Sequence, residues 1–484
     1  MAPTARVVIG VDSSTQATKA LAVDLDTGAV LGEGRAPHTV SGSGGARESD
    51  PEQWWQALSA ALAATGHAAD AEAVSVGGQQ HGLVTLDAAG RPVRPAMLWN
   101  DVRSAPQARE LAGRLGAGEW ARRVGSVPTA AFTVAKWAWL AANEPEAVRA
   151  TAAVRLPHDY LTGRLTGAAA TDRGDASGTG WWGADGYDPE ILAAVGLDEA
   201  MLPAVLAPGQ PAGVALPGGP LRPGIPVAAG TGDNMAAAIG LGLTAGRPVL
   251  SLGTSGTVYA VTRGRPADPT GTVAGFADAL DGWLPLACTL NCTQAVDRVA
   301  ALFGRDRGAV EPGGGVVVLP FLDGERTPDL PDAAGLLYGL RHDTTPGQIL
   351  QAAYDGAAHA LLAALDDVLR AGGQAADPDV PLLLIGGGAQ GAAWRDTVRR
   401  LSGRAVQVPA AGELVALGAA AQAAALLTGE RPDEVARRWR TADGPLHEPV
   451  ERDDEALARI ADTLDRAQPL LRDEKPSRSQ VRSR

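Results

Sequence analysis

One pattern limits the folds open to this chain: a strand, a tight turn of small residues and a second strand occur together twice. RVVIGVD is a continuous apolar run ending in an aspartate, and TKALAVDL after it alternates apolar with smaller or polar residues. About half a chain later, PVLSLGTSGTVYAVTRG repeats the same order. Because such strands alternate with helical stretches along the chain, we predict an α/β architecture made of two domains of similar plan.

Helix signals and the chain's composition support this division. DPEQWWQALSAALAAT starts with Asp50 as a cap and Pro51 at the first helical position, and its apolar residues follow a helical period. PLLLIGGGAQGAAWRDTVRRLSG indicates a buried strand, a glycine turn and a helix. We predict an N-terminal domain over residues 1–240, a C-terminal domain over 241–465 and a disordered tail over 466–484, where apolar residues become scarce.

Charge and targeting signals exclude several classes of function. The 484 residues carry a net charge of −13, spread along the chain, which disfavours nucleic acid and anionic membranes as partners. The sequence contains no signal-peptide pattern and no apolar run long enough to span a membrane, so a cytoplasmic location is expected. Two cysteines without nearby histidines make a poor zinc site. The sequence does not decide the oligomeric state, and a homodimer stays one option.

The turn after the first strand has the composition of a phosphate site. Asp12 ends the strand, small hydroxyl residues including Ser14 and Thr15 form the turn, and Lys19 follows on the next strand. Such a turn directs backbone N–H groups at phosphate, while a carboxylate holds Mg²⁺ through water and a lysine offsets charge. Gly253 and Thr254 belong to a similar turn in the second half. Each turn alone also fits an ordinary β-hairpin, but the pair favours polyphosphate binding.

A glycine run near the end of the chain allows two interpretations. GGGAQG, residues 386–391, satisfies the dinucleotide pattern after a strand, and Glu413 stands where that pattern places an acid, so a dehydrogenase remains a rival. The alternative is that Gly387 and Gly388 form a flat surface for an adenosine. No Walker-type phosphate loop occurs in the sequence.

AAGTGDN places a short acid between glycines at a strand end. Asp233 there suits a general base acting on a substrate hydroxyl, and the competing interpretation is a cap for the helix that follows. Further polar and aromatic residues at strand ends suit a sugar pocket, in which a ring covers C–H groups and planar polar groups meet hydroxyls. These candidates are Gln80, His81, Trp99, Asn100, Asp101 and Arg103.

Taken together, these motifs resemble the FGGY family of carbohydrate kinases over about residues 6–465. The resemblance rests on IGVDSSTQATK, DPEQWW, GGQQHG, LWNDVR, FTVAKWAWL, LPHDYLTGRLTG, TDRGDASGT, GTGDN, LSLGTSG, GERTP and LLLIGGGA. It implies two ribonuclease-H-like domains, the plan of actin and sugar-kinase ATPases, with the active site in the cleft between them. Only three lysines occur, and Lys19 and Lys136 fall inside family motifs.

The resemblance also implies roles for individual residues, with ATP and Mg²⁺ as cofactors and a small sugar as the other partner. Asp12 would position Mg²⁺ through water and Asp233 would be the catalytic base. The residues implied for ATP are Ser14, Thr15, Lys19, Gly253, Thr254, Gly387 and Gly388, and those implied for the sugar are Gln80, His81, Asp101 and Asn234. The first turn reads DSSTQ and lacks the family's usual glycine, which leaves open which N–H groups reach phosphate.

The implied reaction is transfer of the γ-phosphoryl group of ATP to a primary hydroxyl of an open-chain ketopentose. GGQQHG and LWND favour the 5-hydroxyl of D-xylulose. Ribulose, gluconate and glycerol are the alternative substrates, and a non-catalytic actin-fold ATPase is the alternative of another class.

Overall fold

The computed structural model describes residues 5–472. Contacts divide the chain into two compact units. Within the described residues, unit 1 comprises residues 5–244, the segment Val261–Leu284 and the segment Ala410–Asp443, whereas unit 2 comprises Ala245–Ala260, Pro285–Pro409 and residues 444–472.

The chain forms both strands and helices throughout its described length. The strands are β1 (Val7–Ser13), β2 (Ala17–Asp24), β3 (Val30–Pro37), β4 (Glu48–Ser49), β5 (Ala71–Gly78), β6 (Val84–Leu86), β7 (Ala96–Met97), β8 (Ala153–Arg155), β9 (Ala170–Asp172), β10 (Trp182–Gly183), β11 (Gly186–Tyr187), β12 (Ala204–Leu206), β13 (Pro211–Val214), β14 (Pro226–Ala228), β15 (Thr231–Gly232), β16 (Pro248–Leu252), β17 (Gly256–Ala260), β18 (Ala274–Ala277), β19 (Trp283–Thr289), β20 (Val317–Leu319), β21 (Leu336–Tyr338), β22 (Leu382–Ile385), β23 (Val406–Gln407) and β24 (Leu446–His447). The α-helices are α1 (Pro51–Ala64), α2 (Ala105–Leu115), α3 (Ala117–Val124), α4 (Thr133–Asn143), α5 (Pro145–Ala150), α6 (Pro157–Thr166), α7 (Arg173–Ser177), α8 (Pro189–Val195), α9 (Asp233–Gly240), α10 (Thr293–Leu302), α11 (Pro346–Ala371), α12 (Ala392–Ser402), α13 (Leu414–Thr428), α14 (Pro432–Arg438) and α15 (Asp454–Leu471). Two short 3₁₀ helices cover Glu199–Met201 and Gly387–Gln390.

The main sheet of unit 1 has the order β13-β14-β5-β1-β2-β3, with β15 also paired to β5. Strands β1, β2 and β3 run antiparallel to one another in turn, β5 and β14 join in parallel, and β13 returns antiparallel. The apolar run of β1 is buried on both faces: Ile9 and Val11 belong to a core with Trp54 and Leu58 of α1. As the sequence predicts, α1 begins at Pro51 after a side-chain cap from Asp50.

The second seven-stranded sheet repeats this plan. Its strands follow the order β18-β19-β17-β16-β22-β23-β24, in which β19, β17 and β16 are antiparallel, β22 and β23 add in parallel and β24 returns antiparallel. From β19 to β24 the second sheet therefore matches the first from β3 to β13, strand for strand. The predicted α/β fold with two domains of similar plan is confirmed.

Unit 1 is completed by a helix from far along the chain. Helix α13 is rich in alanine and lies on the sheet so closely that a Cβ at Gly10 of β1 would stand 1.9 Å from the carbonyl oxygen of Ala416. Only glycine fits at that crossing. A division of the chain at residue 240, as the sequence predicts, thus differs from the division in space, where residues 410–443 return to unit 1.

The predicted tail needs a partial correction. Residues 466–471 belong to α15, whose buried Ala467 and Leu471 pack in a core with Val317 and Phe321. The helical pattern is weak in the sequence of α15, because its buried positions are separated by several polar residues. Residues 473–484 of the predicted tail lie outside the described residues. None of the helices within residues 5–472 is both long and apolar enough to cross a membrane.

Candidate active site

The register of three parallel strands in unit 1 brings the predicted catalytic groups to one edge of the sheet. Asp12 on β1 pairs with Gly77 on β5, and Thr231 on β15 pairs with the same Gly77 from the other side. Asp233 follows β15 directly as the first residue of α9. Because carboxyl ends of parallel strands in an α/β sheet converge on the ligand, this edge is the candidate site.

Asp12 is a buried carboxylate with unused hydrogen-bonding capacity. Its Oδ1 is buried and has no hydrogen-bond partner within residues 5–472. Burial raises the pKa of Asp12 to about 7, Lys19 acts in the lowering direction, and Asp233 raises it further. An unpartnered carboxylate oxygen of this kind fits a hydrated Mg²⁺, which is usually held by one or two carboxylates together with substrate phosphates.

Lys19 stands across the hairpin from Asp12 and is held by two acids. Its Nζ lies 3.9 Å from Oδ2 of Asp12 and 2.5 Å from Oε2 of Glu413. Glu413 precedes α13 and adopts a φ of 40°, a left-handed conformation that is uncommon outside glycine. The acid that fitted the dinucleotide pattern therefore binds Lys19 in unit 1, which removes that support for a dehydrogenase.

With ATP and a sugar as the substrates that the family resemblance implies, we expect Lys19→Arg to raise the KM for ATP at least about 5-fold, because a guanidinium is wider than the compact ammonium and would displace the positive charge beside Asp12. Initial rates at varied ATP and saturating sugar give the value. Arg6→Lys, which exchanges the same two side chains at an exposed ion pair with Glu72, serves as the matched control and should leave the KM unchanged. An unchanged KM in Lys19→Arg would mean that Lys19 has no role toward phosphate.

A small network of amides surrounds Asp233. The side-chain amide of Asn234 donates to Oδ1 of Asp233 at 3.1 Å and to Oε1 of Gln80 at 2.8 Å, and the Asn234 backbone N–H donates to the same Asp233 oxygen. Burial first and the charge of Asp175 second raise the pKa of Asp233 to about 7, against the Asn234 hydrogen bond. The structure thus joins the sequence-predicted Asn234 and Gln80 to the carboxylate of Asp233, and a pKa perturbed in this way is typical of a catalytic base.

His81 and Trp99 follow two strands of unit 1. His81 comes after β5, and Trp99 comes after β7. His81 has a φ of 64°, and its Nδ1 lies 2.7 Å from the carbonyl oxygen of Gly178. Phe132 and Phe276 pack on the ring. Trp99 is 40% exposed. A strained, tightly packed histidine and an exposed indole offer a fixed polar group and an apolar face for a ligand.

Asp101 and Arg103 bind each other instead of pointing freely outward. Asp101 is fully buried, accepts from the backbone N–H of Arg47 at 2.9 Å and forms an ion pair with Arg103 at 2.7 Å. Arg103 also pairs with Glu48 at 2.5 Å. These contacts fix the loop after Leu98, and a direct contact of either residue with a sugar stays a prediction.

Lys136 proves to be a buried structural group. It lies on α4, and its ammonium donates to the carbonyl oxygens of Ala130 and Ala131 in the preceding loop. Burial lowers the pKa of Lys136 to about 7, opposed in part by the charge of Asp101. At this buried position, the ammonium satisfies two backbone carbonyl oxygens of one loop.

The first hairpin turn uses one of its predicted phosphate donors internally. Both the backbone N–H and the hydroxyl of Ser14 donate to the carbonyl oxygen of Ala17, at 3.1 and 2.8 Å. The Thr15 hydroxyl accepts from the Trp99 indole at 3.1 Å. The backbone N–H groups of Thr15 and Gln16 are therefore better candidates for phosphate than that of Ser14.

Unit 2 presents the second hairpin and the glycine run. The turn between β16 and β17 starts at Gly253, whose carbonyl oxygen accepts from the hydroxyl of Thr293 at 2.7 Å, while Thr254 is exposed. Gly387 is exposed, and a Cβ added there would meet no heavy atom of residues 5–472 within 4 Å, whereas Gly388 is buried against Leu252. Thr254 and Gly387 are thus open to a ligand and Gly388 is not, and a role of these residues toward a nucleotide stays a prediction.

Several charged residues beside the site have no role that the sequence motifs predict. Glu413 binds Lys19, and a buried group of His158, Asp159, Asp172 and Asp175 packs near Asp233. The sequence offers one sign of this buried group. LPHDYLTG and TDRGDASG place charged residues among small and apolar ones, and the histidine and the acids among them prove to be buried. Across the described part of the chain, no three His, Cys, Asp or Glu side chains are grouped as ligands for a metal ion.

Comparison with known proteins gives consistent matches over the whole length. Residues 7–240 match the N-terminal domain of the FGGY family of carbohydrate kinases, and residues 249–427 match its C-terminal domain. The chain is 69% identical to a xylulose kinase of Streptomyces rubiginosus, covering 96% of this chain and 97% of that protein. It is 68% identical to a xylulose kinase of Streptomyces coelicolor, covering 98% of each. The crystal structure of a xylulose kinase from Bifidobacterium adolescentis superposes with a TM-score of 0.83 at 36% identity, covering 95% of this chain and 99% of that one.

Proposed function

Because this chain belongs to the FGGY family of carbohydrate kinases, we propose that it transfers the γ-phosphoryl group of ATP to the 5-hydroxyl of D-xylulose. It is a phosphotransferase with an alcohol as acceptor. The observation that carries the proposal is the Asp233 carboxylate, whose pKa is raised to about 7 beside the amides of Asn234 and Gln80 at the carboxyl edge of the sheet.

Asp233 serves as the general base in this reaction. Its carboxylate accepts the proton of the 5-hydroxyl as the hydroxyl oxygen forms a bond to the γ-phosphorus, and the bond from that phosphorus to the bridging oxygen of ADP breaks. A base with a pKa near neutral pH accepts a proton readily while staying largely ionised above that pH. The products are ADP and the phosphorylated sugar, and Asp233 holds the proton of the former hydroxyl.

The amides and the aromatic residues position the sugar. The amide of Asn234 fixes the carboxylate of Asp233, and the buried Gln80 side chain presents its amide nitrogen at the same place. His81 and Trp99 supply a fixed polar group and an apolar face, and Asp101 with Arg103 stiffens the adjoining loop. Correct placement of the hydroxyl supplies much of the rate in phosphoryl transfer.

Asp12 and Lys19 act on the phosphate side. Asp12 would hold Mg²⁺ through water, and the ion held there would neutralise charge on the transferred phosphoryl group. Lys19, restrained by Glu413, supplies a positive charge next to the first hairpin turn. In unit 2, Gly253 and Thr254 would bind phosphate and Gly387 and Gly388 would lie near adenosine.

The enzyme is expected to act in the cytoplasm, and a homodimer is one assembly open to it.

We expect a coupled ADP-release assay to give the highest kcat/KM with D-xylulose when D-xylulose, D-ribulose, L-ribulose, gluconate and glycerol are compared in parallel. Discrimination of at least about 10²-fold is expected, because buried amides left without a matching hydroxyl cost binding free energy. Assays without sugar report the background ATPase rate. A higher kcat/KM with any other acceptor would replace D-xylulose as the substrate, and turnover that does not depend on any acceptor would contradict the kinase function.

A further inference from the structure

Four charged side chains form a buried ion cluster below Asp233, defined as His158, Asp159, Asp172 and Asp175. Nε2 of His158 lies 3.2 Å from Oδ1 of Asp159, 3.2 Å from Oδ2 of Asp175 and 3.7 Å from Oδ1 of Asp172. His158 and Asp175 are fully buried, and the two other acids are almost so. Buried charges in such number are costly to desolvate unless they are paired with one another.

The segment that carries Asp233 runs directly over this cluster. A Cβ at Gly230 would stand 2.8 Å from Nδ1 of His158, and a Cβ at Gly232 would stand 3.1 Å from Oδ1 of Asp175 and 2.6 Å from Cγ of Gln80. Only glycine permits this approach. The backbone immediately before Asp233 is therefore in contact with both members of the His158–Asp175 pair.

A chain of hydrogen bonds fastens the same segment. The hydroxyl of Thr231 donates to Oδ2 of Asp172 at 2.7 Å. Asp172 also accepts from the backbone N–H groups of Gly174 and Asp175, and so caps α7, the helix that presents Asp175. The position of Asp233 is thus linked through Thr231 and Asp172 to the ion pair.

The charge states of the cluster follow from its neighbours. Burial acts to lower the pKa of His158, but Asp159, Asp175 and Asp172 raise it to about 9, so the imidazole is protonated at neutral pH. Burial raises the pKa of Asp175 to about 6, against the pull of His158. Asp175 is then ionised above that pH. Beyond the cluster, Arg155 acts on Asp159, and the charge of Asp175 acts on Asp233.

We propose that Asp175 and His158 are positioning residues for phosphoryl transfer, which hold the Thr231–Asp233 segment in place and keep a negative charge beside the Asp233 carboxylate. This inference rests on the proposed function of Asp233 as the base. His158 keeps Asp175 ionised in a buried place, and Asp175 in turn makes Asp233 a stronger base than burial alone would.

The test compares pH profiles of kcat/KM for D-xylulose at saturating Mg-ATP, so that Asp12, whose pKa is also raised to about 7, would carry the proposed metal in every variant. The wild type should lose activity as the pH falls through about 7, where Asp233 takes up a proton. This loss forms the acid limb of the pH profile. In Asp175→Asn this limb should move to lower pH by about one unit, because a repelling charge next to Asp233 is gone. A purely structural role would lower activity at every pH without moving the limb.

Asp159→Asn is the matched control. Asp159 is also buried and lies 3.2 Å from His158, but the charge that raises the pKa of Asp233 is that of Asp175. Its limb should stay at the wild-type pH. An unmoved limb in Asp175→Asn, or an equal movement in both variants, would overturn the inference. Loss of activity in Asp233→Asn with an unmoved limb in Asp175→Asn would contradict this inference alone, whereas retained activity in Asp233→Asn would contradict the base itself.

If Asp175→Asn does not fold, Thr231→Val tests whether the cluster positions the segment that carries Asp233. The change removes only the hydroxyl that donates to Asp172 and keeps the shape of the side chain. We expect kcat to fall about 10-fold at an unchanged KM for D-xylulose, since a small displacement of the base is costly in phosphoryl transfer. Wild-type kcat in this variant would overturn the inference.

Discussion

Replacing Asp233 by asparagine is expected to lower kcat at least about 10²-fold, because the variant keeps the shape of the side chain but cannot accept the hydroxyl proton. The network around the position can persist, since an amide oxygen still accepts from Asn234. Single-turnover phosphorylation of D-xylulose with purified protein measures the change. The Kd for D-xylulose should stay within about 3-fold of the wild-type value, which separates chemistry from binding.

Thermal unfolding provides the second measurement for Asp233→Asn. A carboxylate whose pKa is raised by burial is less stable ionised in the folded state than in the unfolded state, so its charge costs stability above neutral pH. The Tm at pH 8 should therefore stay equal or rise. Asp50→Asn makes the same chemical change at the start of α1, where asparagine caps equally well, and should leave kcat and Tm unchanged. Near-normal turnover of folded Asp233→Asn would exclude Asp233 as the base.

Asp12→Asn is expected to lower kcat at least about 10²-fold and to raise the Mg²⁺ concentration needed for half-maximal rate. The neutral amide keeps the contacts of the buried side chain but loses the charge that holds a hydrated divalent cation. Rates measured across a Mg²⁺ titration at fixed ATP give both values.

Binding of the sugar distinguishes this effect from a general disturbance of the site. The Kd for D-xylulose in Asp12→Asn should match the wild-type value, because the amides that we assign to the sugar surround Asp233 instead. The Tm should not fall, since a buried charge with an unpartnered oxygen is removed. An unchanged Mg²⁺ dependence would show that Asp12 does not hold the metal.

The sequence predicts the parts of unit 1 that depend on local pattern. The continuous apolar run of β1, the small-residue turn and the Asp50-Pro51 start of α1 all have local causes, and the structure places each where expected. The repeat of the strand–turn–strand pattern similarly predicts the second sheet. Residues at strand ends, such as Asp12 and Asp233, could be named as candidates because strand ends are where α/β proteins place chemistry.

Contacts between distant parts of the chain could not be predicted in this way. Glu413 reaches Lys19 only because α13 returns to the first sheet, and no local pattern reports that return. His158 and Asp175 lie in separate motifs, and their pairing depends on how α6 and α7 pack. The proposed roles toward ATP remain predictions for Gly253, Thr254, Gly387 and Gly388. These residues are far apart in the sequence, and only a bound nucleotide would contact all four.

The late return of α13 has a consequence for synthesis on the ribosome. Strand β1 is made at the start of translation, but the helix that covers Gly10 on one face of the sheet emerges only after residue 428. The nascent N-terminal half therefore leaves the exit tunnel with an uncovered apolar surface, unlike the usual order in which N-terminal domains fold first. Folding of the first sheet is thus completed only when most of the last third of the chain has been made, independently of the stability of the finished enzyme.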